Sequence, residues 1–280
     1  VTGVQTCALP ICLAVHVAQH VAQFLVGRVD DLAILPVQDL AALAAGGTDH
    51  GQGARLDPEV EVDDLRRRVA GRTQSVARDF DNVIDVLERW GYVDGWALTD
   101  AGETLCRLFH ESDLLVAESI RRGLFDDLEP ASLAALASVF VYEHRSPEPP
   151  PAPWYPSPLV RRRWQSIAAL SYELEDIERA SALAVHRPPD PTFVAVAFAW
   201  AAGEGFAEVV ADEDLTGGDF VRTMKQLLDL LRQMALVAPQ RATRHAAEQA
   251  ADRLFRGVVA ASSAVEISPQ KVDNDDDSQG

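Results

Sequence analysis

Cysteine and long apolar runs are both scarce in this chain of 280 residues. Its three cysteines are Cys7, Cys12 and Cys106, of which Cys7 lies within residues 1–11, a segment unlike the rest of the chain, and Cys12 directly follows it. A single remaining thiol cannot form an internal disulfide, which is typical of a reducing, cytoplasmic compartment. No apolar run approaches the roughly 20 residues that a membrane-spanning helix requires. The sequence therefore predicts a cytoplasmic protein with no membrane partner.

Motifs that bind nucleotides or metals are missing as well. The chain has no Gly-x-x-x-x-Gly-Lys-Ser/Thr loop to hold the phosphates of ATP. His16 and His20 are four residues apart, but the residues between them lack the glutamate of a zinc-protease helix. Cys106 lies among apolar residues, where a buried and unreactive thiol is the ordinary interpretation. The residues alone predict no catalytic group, no metal site and no cofactor in this chain.

Aromatic residues make up 7% of the chain, and long alternations of Val, Ile and Thr are rare. Alanine and aliphatic residues are abundant instead, and this composition favours helices over sheets. The length fits one large domain or two modest ones. We therefore predict a mainly α fold, in which a winged-helix-like module is followed by a multi-helix bundle.

The formal charge of −18 argues against a broad nucleic-acid-binding face, which would be basic. Any contact with nucleic acid must therefore be local, and the basic residues that could make one fall into clusters. These clusters are Arg66 to Arg68 with Arg72 and Arg78, then Arg121 and Arg122, then Arg161 to Arg163, and finally Arg222 with Lys225. Such arginines can pair with nearby acids at helix ends, or they can line a path for a single strand.

The two ends of the chain are unlike the rest. Residues 1–11, VTGVQTCALPI, back-translate to a sequencing adapter, so we interpret them as an artefact and expect the chain to begin inside a gene. Residues 12–62 show no sustained helical period and are either a linker or a misassembled extension. Residues 266–280 contain five acids and one lysine and are predicted to be a disordered acidic tail.

Residues 63–110 have the outline of a winged helix. An amphipathic helix ending at Gly91 is followed by the segment YVDGWAL, which predicts two short strands around an Asp-Gly turn. Thr99 is placed to cap the next helix, which turns Leu105 and Leu108 inward. The order helix, wing, helix therefore predicts a winged-helix-like module.

Residues 111–265 read as helix after helix. Ser112 is expected to cap the first of them, and this helix and the next, which begins near Pro130, are expected to pack as an antiparallel hairpin. A proline-rich loop follows at residues 146–158. The clearest amphipathic helix places five apolar residues on one face: Phe220, Met224, Leu227, Leu231 and Met234. The last helix is expected to run from about Arg241 to Ala261.

Three stretches carry a family resemblance. They are DLRRRVAGRTQSVARDFDNVIDVLERWGYVD, ESDLLVAESIRRGLFDDLEPASLAALASVFVYEHR and VADEDLTGGDFVRTMKQLLDLLRQM. Together they resemble the C-terminal part of superkiller-type DExH-box RNA helicases of the actinobacterial HelY type, over about residues 63 to 265. The resemblance implies a winged helix followed by a helical domain of the DSHCT, or ratchet, type.

The resemblance also implies a path for RNA. The positions that match channel-facing ones are Glu143, which would accept from a base edge, and Arg222 with Gln226, of which Arg222 would meet phosphate or stack on a base. Lys225 lies one turn from Arg222 and completes the predicted RNA-binding set. Relatives from eukaryotes tend to carry a basic residue where Gln226 stands.

These expectations combine into one leading hypothesis. The chain is interpreted as the C-terminal accessory fragment of an ATP-dependent RNA helicase, inactive alone, which guides single-stranded RNA. ATP and Mg²⁺ are implied for the absent core, which would be its partner together with RNA-degradation machinery. The alternatives are a winged-helix DNA-binding regulator with a helical dimerisation domain, and a helical scaffold that binds proteins only. The net acidic helix of residues 75–90 argues against the DNA reader.

Overall fold

The computed structural model describes residues 78–145, 149–211 and 215–266. Within these segments the fold is mainly α, as the composition predicts, with a single two-stranded hairpin. No helix in the described segments is both long and apolar enough to cross a membrane. The predictions for residues 1–11 and 12–62, and for the tail beyond residue 266, lie outside the described residues. The predicted domain boundaries stay predictions.

The winged-helix outline is present from residue 78 onward. Its elements are helix α1 at residues 78–89, strand β1 at Val93–Asp94, strand β2 at Ala97–Leu98 and helix α2 at Asp100–Leu105. Gly91 ends α1 in the left-handed region, with φ of 74°, which glycine adopts without strain. The strands pair antiparallel, with Val93 opposite Leu98.

The bundle follows in eight further helices and one short 3-10 turn. They are α3 at Asp113–Arg121, α4 at Pro130–Val141, α5 at Pro158–Ala180, the turn at Pro191–Phe193, α6 at Val194–Ala202, α7 at Phe206–Val209, α8 at Gly217–Val237, α9 at Arg241–Leu254 and α10 at Gly257–Glu266. The described part of the proline-rich loop, residues 149–157, forms neither helix nor strand before α5 begins.

Helix α4 lies at the centre of the bundle. Its residues 131–140 are all buried, and six of the ten are alanine or serine, with Leu, Val and Phe as the larger side chains. Small side chains let neighbouring helices approach closely, and α4 packs mainly against α6, α8 and α9. The prediction that α3 and α4 pack as an antiparallel hairpin is wrong, because α3 packs chiefly on α2 and α5.

Of the three helix starts predicted at Thr99, Ser112 and Pro130, two are confirmed. The Thr99 side chain accepts from the backbone N–H of Gly102 at 3.2 Å, and Pro130 occupies the first turn of α4. Ser112 stands at the start of α3 but its side chain makes no capping hydrogen bond, so that part of the prediction is wrong. Its backbone is not extended there, and its own N–H donates to Nδ1 of His110 at 3.0 Å.

The expected single helix from Arg241 to Ala261 is two helices, and Trp200 explains the break. The indole Nε1–H of Trp200 donates to the carbonyl of Leu254 at 3.0 Å. The Arg256 guanidinium lies 3.6 Å from the centre of the Trp200 ring and donates to the carbonyls of Trp200 and Glu204. These bonds draw residues 255 and 256 out of the helical path. The chain becomes helical again at Gly257, with φ of 50°, where α10 begins.

A buried carboxylate joins the winged-helix part to the bundle. Glu118 of α3 is fully buried, and it accepts two hydrogen bonds from Arg121 and one from Arg122, each at 2.7 Å. The hydroxyl of Tyr92, next to the wing, donates to the same carboxylate at 2.9 Å. Burial alone would raise the pKa of Glu118, but these hydrogen bonds from arginine and tyrosine hold it below its ordinary value. Burial beside this carboxylate also raises the pKa of Tyr92.

We expect Glu118→Gln to lower the free energy of unfolding at neutral pH by about 1.5 to 3 kcal/mol, because charge-assisted hydrogen bonds become neutral ones. A carboxyl group with a lowered folded-state pKa stabilises the fold above its unfolded-state pKa, and this contribution disappears as the pH falls through the folded-state value. Urea unfolding measured at several pH values should therefore show less acid destabilisation in the variant. Glu173→Gln is the matched control, since Glu173 is half-exposed and pairs with Arg122 at 3.3 Å. An equal loss in both variants would contradict the assignment.

Candidate nucleic-acid interface

Helix α8 carries three of the four predicted RNA-binding residues, and its own sequence determines its orientation. Thr216 caps its start by accepting from the backbone N–H of Asp219 at 3.1 Å. The five apolar residues predicted to share a face are all fully buried against α4 and its neighbours. The opposite face of α8 must therefore point away from the core.

The outward face is a narrow stripe along the helix. At 100° per residue, five positions fall within about 80° of one another. We call them the α8 stripe: Arg222, Gln226, Asp229, Gln233 and Leu236. Four of them are exposed and Gln233 is half-buried. Lys225 is also half-buried and lies at the edge of the stripe.

Arg222 is held only loosely. Its guanidinium donates to Asp219, one turn earlier, at 2.8 Å, and both side chains are about half-exposed. An exposed ion pair of this kind contributes about 0 to 1 kcal/mol. The guanidinium can therefore exchange Asp219 for an incoming phosphate or base at little cost. Gln226, one turn further along, presents an amide that both donates and accepts hydrogen bonds.

Glu143, the fourth predicted residue, lies on a different element. It follows the end of α4 by two residues, is exposed, and pairs with Arg145 at 2.9 Å. The structure thus brings Arg222, Lys225 and Gln226 together on α8 and places Glu143 on a separate segment.

A clamp holds the segment that carries Glu143. Arg187 donates to the carbonyls of Phe140 and Tyr142, which α4 leaves unpaired at its C-terminal end, and to the carboxylate of Glu111 at 2.7 Å. Asp190 accepts from the backbone N–H of His144 at 2.7 Å, and its own N–H donates to Val139. The backbone on both sides of Glu143 is therefore fixed to residues 187–190.

The other end of the clamp is anchored to α5. His186 contacts Glu178 through Nδ1 at 2.8 Å and Ser171 through Nε2 at 2.8 Å, and its backbone N–H also donates to Glu178. This is the order of a serine hydrolase triad, but the Ser171 side chain is buried in the bundle. We interpret the three residues as an anchor for the loop.

A further contact joins α8 to the loop between α2 and α3. The backbone N–H of Phe109 donates to Oε1 of Gln233 at 2.6 Å, and Nε2 of Gln233 donates to Asp229 at 2.8 Å. The ring of Phe109 is exposed, whereas the next residue, His110, is half-buried. Burial lowers the pKa of His110 to about 4, so its imidazole is neutral at physiological pH.

The arginine clusters predicted from the sequence differ in their surroundings. Arg121 and Arg122 bind Glu118 and are structural. Arg161 and Arg162 are exposed at the start of α5. Residues 66–72 lie outside the described residues.

Sequence patterns alone miss Arg187, Asp190, Phe109 and Gln233. A signal for Arg187 and Asp190 exists in the segment HRPPDP, where charged residues stand among prolines. Proline has no backbone N–H, so side chains must supply the donors in such a segment. Phe109 and Gln233 offer no such signal, because they are 124 residues apart and meet only in the folded chain.

Comparison with known proteins identifies the family. The DSHCT (NUC185) domain matches residues 95–262, which include the second strand of the wing, the clamp and the α8 stripe. The chain belongs to the DSHCT domain family. This confirms the resemblance drawn from the sequence.

Several proteins similar to this chain are named as helicases. The probable helicase HelY of Mycobacterium leprae is 40% identical over 210 residues, which cover 70% of this chain and 23% of that protein. The protein of the same name in Mycobacterium tuberculosis strain H37Rv is 39% identical over 210 residues, with the same coverage. Human exosome RNA helicase MTR4 is 30% identical over 158 residues, covering 55% of this chain and 15% of that protein. The chain spans about a quarter of the length of the mycobacterial relatives.

We expect Arg187→Ala to loosen the Glu143 segment, because two helix-end carbonyls and Glu111 lose their donor. The free energy of unfolding should fall by about 1 to 3 kcal/mol. The amide of His144 should exchange with solvent faster, as measured by hydrogen exchange followed by NMR. Arg145→Ala is the control, because its ion pair is largely exposed and should change stability by less than about 1 kcal/mol. An unchanged His144 exchange rate in Arg187→Ala would rule out the clamp.

Proposed function

We propose that this chain is the helical accessory region of an ATP-dependent RNA helicase and that it guides single-stranded RNA through the motor. The observation that supports this most is the α8 stripe, which presents Arg222 and Gln226 on the outward face of a domain whose relatives bear the names of helicases. Lys225 and Glu143 complete the proposed contact set.

Each of these residues has a proposed task. Arg222 exchanges its weak bond to Asp219 for a phosphate oxygen or stacks on a base. Lys225 adds a second positive charge one turn away. The amide of Gln226 and the carboxylate of Glu143 pair with base edges, and the clamp keeps Glu143 in place. Such contacts are individually weak, so bases can move past them one after another.

The remaining parts of the proposal concern the parent protein. We place ATP and Mg²⁺ in the helicase core, because the phosphate-loop motif that holds them does not occur in this sequence. That core is the proposed partner of this region, with RNA-degradation machinery as a further partner and the cytoplasm as the compartment. The role of the chain is to guide the strand while the core supplies the energy.

Binding of a fluorescent single-stranded RNA to the full chain, followed by anisotropy, tests the proposal. We expect Arg222→Ala to weaken binding by about 5- to 150-fold, the range for losing one stacking contact. With two cations on phosphate, the slope of log K against log salt should be about −1.4, and it should fall to about −0.7 in the variant. Arg253→Ala is the matched control, since this half-exposed arginine lies on α9 and has a loose carboxylate partner, Glu129, at 3.9 Å.

Two results would contradict the proposal. Tighter binding to duplex DNA than to single-stranded RNA would favour the winged-helix DNA regulator instead. No binding of any nucleic acid at low salt would favour a scaffold that binds proteins only.

A further inference from the structure

We propose that Phe109 is a stacking platform for an RNA base, located at the end of the α8 stripe and held there by Gln233. The inference rests on the proposed function and adds to it a binding residue from outside α8. It extends the contact surface from one helix to the loop between α2 and α3.

The first observation is the exposure of the ring. Phe109 is 69% exposed although Leu108 before it is fully buried. Within the described segments, the exposed rings of Trp96 and Trp154 each lie beside another ring, Phe80 and Phe198 respectively. No ring in those segments stacks on Phe109. Most of this aromatic side chain is thus exposed to solvent, although burial would ordinarily be favoured.

The second observation is that the loop cannot easily turn the ring inward. The backbone N–H of Phe109 donates to Gln233, whose own amide is fixed by Asp229. Leu108 before it is fully buried, and His110 after it is half-buried and accepts from the backbone N–H of Ser112 through Nδ1. The ring is therefore held outside by its neighbours, and its backbone is tied to α8.

The third observation is the position of Gln233 within the stripe. It follows Arg222 by eleven residues and Gln226 by seven, which places it about 16 Å and about 10 Å from them along the helix axis. Leu236, one turn beyond, is 74% exposed and gives this end of the stripe an apolar edge. The stripe thus runs from a cation, through two amides and a carboxylate, to an apolar edge, and Phe109 is bonded to it at Gln233.

A single-stranded nucleic acid matches that order better than a protein segment does. Every base has a π face that stacks on an aromatic ring, and every linkage has a phosphate for Arg222. The exposed amide of Gln226 can pair with a base edge between these two ends. Asp229 adds an acceptor for the amino groups of bases, and it is bonded to Gln233.

Anisotropy with a single-stranded RNA of about 12 nucleotides, within the usual site size, tests the platform on the full chain. We expect Phe109→Ala to weaken binding by about 5- to 150-fold and Phe109→Tyr to change it by about twofold or less, because tyrosine keeps the ring. Tyr172→Ala is the matched control: Tyr172 is also 69% exposed, but it lies on α5, away from the stripe. Thermal unfolding should be similar for all these variants, since both rings are exposed.

A strand without bases separates stacking from indirect effects. With a fully abasic strand of the same length, Phe109→Ala should bind as the unmodified chain does, because no base is present to stack. An equal loss of affinity for the normal and the abasic strand would overturn the platform, since the ring would then act through the fold.

Arg222→Ala, measured alongside, distinguishes failure of this inference from failure of the proposed function. If Arg222→Ala weakens binding and Phe109→Ala does not, the platform is wrong and the guiding role stands. If the chain binds no single-stranded RNA at all, both are wrong, and the exposed ring belongs to a protein interface.

Discussion

The burial of α4 on every side is the constraint on which the bundle depends. A helix whose residues 131–140 are all buried needs an apolar face on each neighbour, and α6, α8 and α9 supply them. Helix α8 meets this need with a regular row of Phe, Leu and Met, which fixes its rotation about its own axis. Its polar residues are consequently aligned outward in one stripe. The packing of the core thus creates the candidate binding surface, although no residue of that surface belongs to the core.

The same burial accounts for the clamp. When a helix ends inside a bundle, its last carbonyl groups lose water and need other donors, because an unpaired buried carbonyl costs about 1 to 3 kcal/mol. Arg187 supplies these donors for α4, and Asp190 pairs with the backbone just beyond it. Loop residues are thereby recruited to a fixed place, and Glu143 is fixed with them. Satisfying backbone groups at the end of one helix therefore also orders a proposed functional residue.

Local periodicity made part of this fold predictable. The inward face of α8, the cap at Thr99 and the turn at Gly91 depend on residues within a few positions of one another. The break between α9 and α10 was not predictable, because it depends on Trp200, 54 residues before Leu254. The candidate site divides in the same way. Arg222 and Lys225 could be grouped from one helical pattern and Gln226 was implied by the family resemblance, whereas the contacts of Arg187 and of Phe109 join distant parts of the chain.

The acidity of the chain limits what kind of RNA contact it can make. A net charge of −18 repels phosphate at long range, although at physiological salt the repulsion is screened beyond about 8 Å. Attraction must therefore come from groups within a few ångströms, such as a guanidinium in a weak ion pair, side-chain amides and an exposed ring. Contacts of this kind depend little on base identity and release as easily as they form. A region that only guides a moving strand needs this balance, because strong phosphate binding would hold the RNA in place while the motor pulls.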